Sequence, residues 1–272
     1  MLQKVKAIAP IYDFSFIITT RNNPEELKRT VSSIILEAPD NCEIVIVDGS
    51  DNPEGKDFFL KILETKKIEL NYLNDNKDGI YNAMNLGVQN SLGNWLIMLT
   101  AGDYLKFGSK DLFKIILNSN NDVIVFSQDV EGHNGKINFS FFPTIKTVWP
   151  HQSVIIKRII HERIGLYPIH KKFIYSAEQF LFLEIRKSTK FEIRDEIFSV
   201  FCLGGLSSTT SFLKSQESYR GKVELGQGVI KSFIQAYIFT NIRYFLEKNS
   251  LFERLSVFLR ITIFSYYKKP NA

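Results

Sequence analysis

The chain reads as an α/β protein with a doubly wound sheet and a helical C-terminal extension. Three observations predict it. Short β-branched runs alternate with segments of helical periodicity through the first half of the chain. The second of these runs is near-continuously apolar, as in strands covered on both faces. Acidic residues recur just past the runs, at the carboxyl strand ends where such sheets bind ligands. With 272 residues, 44% hydrophobic and 23% charged, the chain can bury a sizeable core, which excludes a disordered tail protein.

In order, residues 14–19 are expected as a strand, 24–36 as a helix and 43–48 as a strand, completing one βαβ unit. A helix at 58–63, a strand at 68–73, a helix at 80–91, a strand at 94–99, a helix at 112–118 and a strand at 122–126 follow. Residues 132–142 turn polar and glycine-containing, as in a hairpin or loop. A strand-like segment at 149–156 and helices at 158–164 and 173–186 come next. Ser176 and Gln179 match a capping box, which would set Glu178 at a helix N-terminus. The expected division is an α/β domain over residues 1–206 and an extension over 207–272.

Cys42 and Cys202 lack any ligand spacing, so neither a disulfide framework nor a structural zinc site is expected, and a reducing, cytoplasmic setting fits. The N-terminus shows no signal-like apolar region, and no apolar window is long enough to cross a bilayer. The net charge of +5 is uneven. Residues 206–272 carry ten Lys/Arg against four Asp/Glu, with many aromatics, and 251–267 have helical spacing. That composition suits either an anionic membrane surface or a helical contact, on the catalytic domain or a second subunit. No nucleic-acid-binding motif accompanies the charge.

The turns at 20–23, 48–51, 75–78 and 100–103 are the candidate ligand positions, and three of them carry acids. None contains a glycine-rich phosphate loop, so base and sugar contacts plus a divalent cation are the chemistry expected there. Four stretches carry a resemblance: Phe16-Ile-Ile-Thr-Thr-Arg-Asn-Asn-Pro-Glu-Glu-Leu27, Glu43-Ile-Val-Ile-Val-Asp-Gly-Ser-Asp51, Asp78-Gly-Ile-Tyr-Asn-Ala-Met-Asn-Leu-Gly87 and Gly93-Asn-Trp-Leu-Ile-Met-Leu-Thr-Ala-Gly-Asp103. Together they resemble the family 2 glycosyltransferases, inverting enzymes of the GT-A fold that use nucleotide sugars. The third and fourth resemble the subgroup that builds bacterial surface polysaccharides.

The resemblance implies donor contacts at Thr20, Arg21, Asp48, Asp78, Asn85, Gly102 and Asp103, with Asp48 on the base. It implies Asp103 as ligand of Mg²⁺ or Mn²⁺, His151 and Gln152 in the cleft between donor and acceptor, and Glu178 as the catalytic base. It also implies a loop at 203–208 that closes the site. The sequence departs from the family at Thr19-Thr20-Arg21-Asn22, where Pro-Thr-Tyr-Asn is usual, at Asp48-Gly49 for a double acid, and at Glu178 for aspartate. The partners implied are a nucleotide-sugar donor, a UDP-sugar by the resemblance, and a glycan or lipid-linked acceptor, with the enzyme in the cytoplasm or on the inner membrane face. The rival readings are a catalytically silent domain of the same fold that binds a nucleotide sugar or partner enzyme, and a nucleotidyltransferase, which would need a lysine-containing glycine-rich first loop.

Overall fold

The computed structural model describes residues 5–51, 59, 68–145, 147–169, 177–203, 212–224, 228–239 and 267–268. The first half follows the expected alternation: β1 (Tyr12–Thr20), α1 (Pro24–Glu37), β2 (Cys42–Asp48), β3 (Glu69–Asn74), α2 (Ile80–Gln89) and β4 (Gly93–Thr100). Then come β5 (Tyr104–Leu105), α3 (Leu112–Leu117), β6 (Val123–Glu131), β7 (Ile137–Phe141), β8 (Val154–Lys157), α4 (Arg158–Arg163), α5 (Ala177–Ser188) and β9 (Phe191–Cys202). The C-terminal quarter contributes α6 (Phe212–Glu224), α7 (Val229–Phe233), a π-helical turn at Ile234–Phe239 and β10 (Tyr267–Lys268). The expected helix at 58–63 lies outside the described residues except for Phe59, which is helical and buried.

The sheet runs β10-β7-β6-β8-β4-β1-β2-β3, with β9 along the other edge of β6 and β5 paired to β9. Strands β3, β2, β1 and β4 are mutually parallel, while β8 joins β4 and β6 antiparallel. It is therefore a doubly wound parallel half extended by a mixed half. The apolar residues of β1 alternate between faces. Phe14, Phe16 and Ile18 pack with Leu27, Val31 and Ile34 of α1 and with Phe113. Ile17 packs on the opposite face with Ala83, Met84 and Val88 of α2. Both faces are covered, which is why these strands read as unbroken apolar runs.

Two expectations are corrected. The strand expected from residue 149 starts at Val154, because His151–Ser153 form a 3₁₀ turn. The helical spacing at 251–267 does not hold at its last residue, since Tyr267 pairs with Phe141 of β7; residues 240–266 lie outside the described set. The twelve-residue β9 was not anticipated. Its run Glu192, Arg194, Glu196 looks polar, yet these residues share one face at period two and Arg194 bonds both glutamates, at 2.6 Å and 2.5 Å.

Helix α2 lies tightly on the sheet because Gly87 has no side chain. A Cβ there would collide with Ile17 Cγ2 and come within 3.3 Å of Val47 Cγ2. The far end of the helix is tied by buried Arg158, whose guanidinium donates to Val88 O at 3.0 Å and Ser91 O at 2.6 Å. Gly87→Ala is expected to lower stability by about 1–3 kcal/mol through overpacking against β1, read as a lower urea midpoint at unchanged slope.

Candidate active site

The parallel register sets the site. Thr20 is paired with Asp48, and Thr19 with Thr100, so the ends of β1, β2 and β4 finish at one level. Strand order reverses at β1, the switch point where open α/β sheets bind ligands. A cleft of about 340 Å³ opens there, lined by Thr20, Asn22, Leu27, Asp48, Ser50 and Asp51 among others. Its volume is at the lower end of small-molecule sites.

Asp48 is buried and held from two sides: Ser50 N–H donates to Oδ1 at 2.8 Å, and the Tyr72 hydroxyl donates to Oδ2. Burial and this bond raise the Tyr72 pKa well above the usual phenol value, so it stays a donor. Thr20 is 9% exposed and its Oγ1 has no hydrogen-bond partner, as has the neighbouring Thr19 Oγ1. Buried hydroxyls left unpaired at a cleft are what a polar ligand would satisfy. The loops after β1 and β2 clasp each other: Asn22 N–H donates to Ser50 Oγ at 2.7 Å, and Asp51 N–H to Asn22 Oδ1 at 3.1 Å. Asn22 takes a left-handed backbone, φ 53°, to do so. Exposed Arg21 runs beside Gly49, and Asp51 is held below the usual carboxylate range chiefly by its hydrogen bond from Lys77.

Asp103 is buried, follows Gly102 at φ 104°, and is gripped by distant segments. Oδ2 accepts from Gln152 Nε2 at 2.9 Å, Oδ1 from Cys202 N–H at 3.1 Å, and its carbonyl from the Thr30 hydroxyl at 2.7 Å. Burial lifts its pKa to about 7 against the opposing hydrogen bonds, with nearby Glu26 adding to the rise. Behind it, Glu131 accepts both guanidinium nitrogens of Arg29, at 2.8 Å and 2.7 Å, and the Tyr104 hydroxyl at 2.7 Å. Arg29 also lies 4.2 Å over the Tyr104 ring. Among the described residues no three His, Cys, Asp or Glu gather as a metal site. The donor set still fits a hard cation. Such ions are held by one or two carboxylates with phosphate oxygens and water, which Asp103 with Glu26 nearby can provide.

Gln152, expected between donor and acceptor, thus braces Asp103. Its neighbour His151 places Nε2 2.8 Å from the Tyr167 hydroxyl and is driven down to a pKa of about 3 by burial and the His161 charge, so it is neutral at pH 7. Tyr167 is fixed through its main chain by Asn85, which donates to Tyr167 O at 3.0 Å and accepts from its N–H at 2.9 Å. Asn85 is buried, and its amide is engaged on this loop. The Tyr167 ring sits 6.0 Å from that of Tyr81, whose hydroxyl donates to Glu178 Oε2. Asp78 is exposed and caps nothing: α2 opens at Gly79, φ 106°, and only the Asp78 carbonyl is used, by Asn82 Nδ2 at 2.6 Å. Ser176 and most of the closing loop at 203–208 lie outside the described residues.

Tyr72, Tyr81, Asn22, Ser50 and Glu26 were not given roles from sequence, although all but Tyr72 lie inside the quoted motifs. Arg29→Leu is expected to cost about 1–3 kcal/mol by leaving the Glu131 carboxylate without its charged donor, measured by chemical denaturation against Lys28→Leu as a surface control.

The sequence profile of Glycosyl transferase family 2 matches residues 15–170. The chain is similar to the "PGL/p-HBAD biosynthesis glycosyltransferase" of Mycobacterium tuberculosis, 35% identical over 92 residues, which cover 34% of this chain and 36% of that one. It spans about a third of the length of that curated relative. In fold it is similar to S. aureus TarS 1–349 in complex with UDP-GlcNAc, with a TM-score of 0.61 at 14% identity, covering 86% of this chain and 72% of the other. It is also similar to the mannosyltransferase PcManGT from Pyrobaculum calidifontis in complex with GDP-Man and Mn²⁺, with a TM-score of 0.56 at 11% identity, covering 97% and 77%. With the family profile spanning more than half of the chain and the strand-end site built on the matching fold, this protein belongs to Glycosyl transferase family 2.

Proposed function

We propose that this protein is an inverting glycosyltransferase that moves a sugar from a UDP-sugar to a glycan, lipid-linked acceptor in building a cell-surface polysaccharide. The observation that carries the reading is the strand-end cleft, in which an unpartnered buried Thr20 hydroxyl stands beside a rigidly held Asp48. The Asp48 carboxylate suits the imide N–H of uracil, and its two internal hydrogen bonds keep it oriented before the base arrives. The UDP-GlcNAc bound by TarS and the family membership support the same donor class.

In this reading Thr20, Arg21 and Ser50 line the donor, and Asp103, held by Gln152 and the Cys202 main chain, faces its diphosphate. A divalent cation bound by Asp103 would neutralise that diphosphate and stabilise it as it departs; the Mn²⁺ in PcManGT supports this. Glu178 takes the proton of an acceptor hydroxyl. That oxygen bonds to the anomeric carbon from the face opposite the breaking bond to phosphate, so the configuration inverts.

Release of UDP from a panel of UDP-sugars, with acceptor and Mn²⁺, tests this. Glu178→Gln is expected to keep UDP affinity and lose about 10²–10⁴-fold in transfer. Asp103→Ala is expected to abolish the extra thermal stabilisation that Mn²⁺ gives to the UDP complex. UDP stabilising the wild type equally in EDTA and in Mn²⁺ would remove Asp103 as a ligand. UDP binding without turnover of any donor would favour the silent binding domain.

The lipid-linked acceptor class has a structural support in the extension. Val229, Ile230, Phe233, Ile234 and Ile238 are all exposed, on one short helical stretch. The surrounding quarter of the chain carries the net positive charge, complementary to an anionic leaflet, at roughly 1 kcal/mol per Lys or Arg near the surface. Among the described residues no helix is long and apolar enough to cross a membrane, so surface attachment is the mode proposed. In flotation the protein is expected to bind vesicles containing anionic lipid and to release in high salt, and an Ile230→Glu, Phe233→Ser variant to stay in solution. A wild type that ignores the vesicles and elutes as a dimer broken by the same substitutions would make this face an oligomer contact.

A further inference from the structure

The Asp78-to-Gly87 motif, expected to serve the donor, also carries side chains that meet the Tyr167 loop and α5. Tyr81 and Asn85 stand one turn apart on α2. Asn85 clamps the main chain of Tyr167, and the Tyr81 hydroxyl meets the first turn of α5, donating to Glu178. The base of α2 cannot shift, because Gly87 is pressed on Ile17 and Arg158 holds the helix end.

We propose that Tyr81 is a positioning residue for the catalytic base: its hydroxyl fixes the Glu178 carboxylate toward the acceptor. This rests on the reading of Glu178 as the base. A free glutamate has three side-chain torsions to fix, and the Tyr81 hydroxyl that meets it here is carried by a helix packed closely on the sheet. The Tyr81 ring is itself flanked by Tyr167, which is bonded to neutral His151. Among the described residues, the titratable groups facing this carboxylate include Tyr81 from α2 and Tyr167 from the loop before α5; Glu217 of α6 adds its charge to Tyr81, and His151 and His161 lie behind Tyr167. Both tyrosines are driven by burial well above the ordinary phenol range, so they remain donors throughout the working pH range. A donor to a carboxylate favours its charged form. Losing it raises the carboxyl pKa, and a reaction that needs the ionised base then keeps its rate only at higher pH.

The test compares Tyr81→Phe, Glu178→Gln and the double variant in the full chain, by UDP titration and by the pH dependence of transfer. Phenylalanine retains the ring beside Tyr167 and removes only the hydroxyl. Tyr81→Phe is expected to bind UDP as the wild type does and to lose about 10- to 100-fold in kcat, with the acid limb of its kcat/KM profile moved up by about one pH unit. Because Glu178→Gln leaves no carboxylate to orient, Tyr81→Phe added to it is expected to change transfer no further. A Tyr81→Phe enzyme with wild-type kcat and an unmoved acid limb, beside an inactive Glu178→Gln, would overturn the positioning role alone. A Glu178→Gln enzyme that transfers normally would instead overturn the assignment of the base. Should Tyr81→Phe melt below the assay temperature, Tyr81→Leu, smaller and without any side-chain donor, supplies the comparison, and a wild-type profile there overturns the proposal equally.

Discussion

Asp103 is the point through which the halves of this protein hold each other. Its carboxylate and carbonyl receive Gln152, Cys202 and Thr30, residues 49, 99 and 73 positions away. Each partner comes from a different element: the 3₁₀ turn before β8, the end of β9, and α1. A buried carboxylate without such donors would be costly, so these bonds tie the loop after β4 to the turn before β8 and to the end of β9. The Arg29, Glu131 and Tyr104 cluster repeats the arrangement one step back, tying α1 to the ends of β6 and β5.

From Asp103 a continuous run of contacts leads through Gln152 and His151 to Tyr167, then across the ring pair to Tyr81 and Glu178. The residues along this run are buried or half-buried and are joined by hydrogen bonds and one ring contact, which holds their side chains in a fixed relation. Neutral His151 is part of that structure. Lowering its pKa to about 3 makes it a fixed partner for the Tyr167 hydroxyl across the physiological range, so it does not act as a switch. The extension takes part in the same assembly, since Glu217 of α6 is buried and its charge acts on Tyr81, and β10 adds to the sheet edge at β7.

Much of this was legible from residues alone. The apolar runs at β1, β2 and β4 and the helical spacing of α1 and α2 identified the doubly wound half, because parallel strands buried on both faces leave an unmistakable hydrophobic record. Strand β9 escaped because Glu192, Arg194 and Glu196 neutralise one another along a single face, and a polar run of that kind carries no burial signal. The start of β8 was misjudged for a different reason: His151 and Gln152 turn aside to reach Tyr167 and Asp103, contacts that local pattern cannot anticipate.

The sequence by itself determined which strands are parallel and central, and marked their carboxyl ends as the candidate ligand positions, since Thr20 and Asp48 close β1 and β2 and Asp103 lies three residues past β4. Only the tertiary structure decided what the remaining residues do. Asn85 and Gln152 turned out to brace Tyr167 and Asp103, Tyr81 emerged as the partner of Glu178, and Asp78 proved not to cap its helix. Those roles depend on approach between elements 16 to 97 residues apart in the chain. Such approach is set by side-chain fit, such as Gly87 against Ile17, and by mutual satisfaction of buried polar groups, neither of which has a local period for a sequence to display.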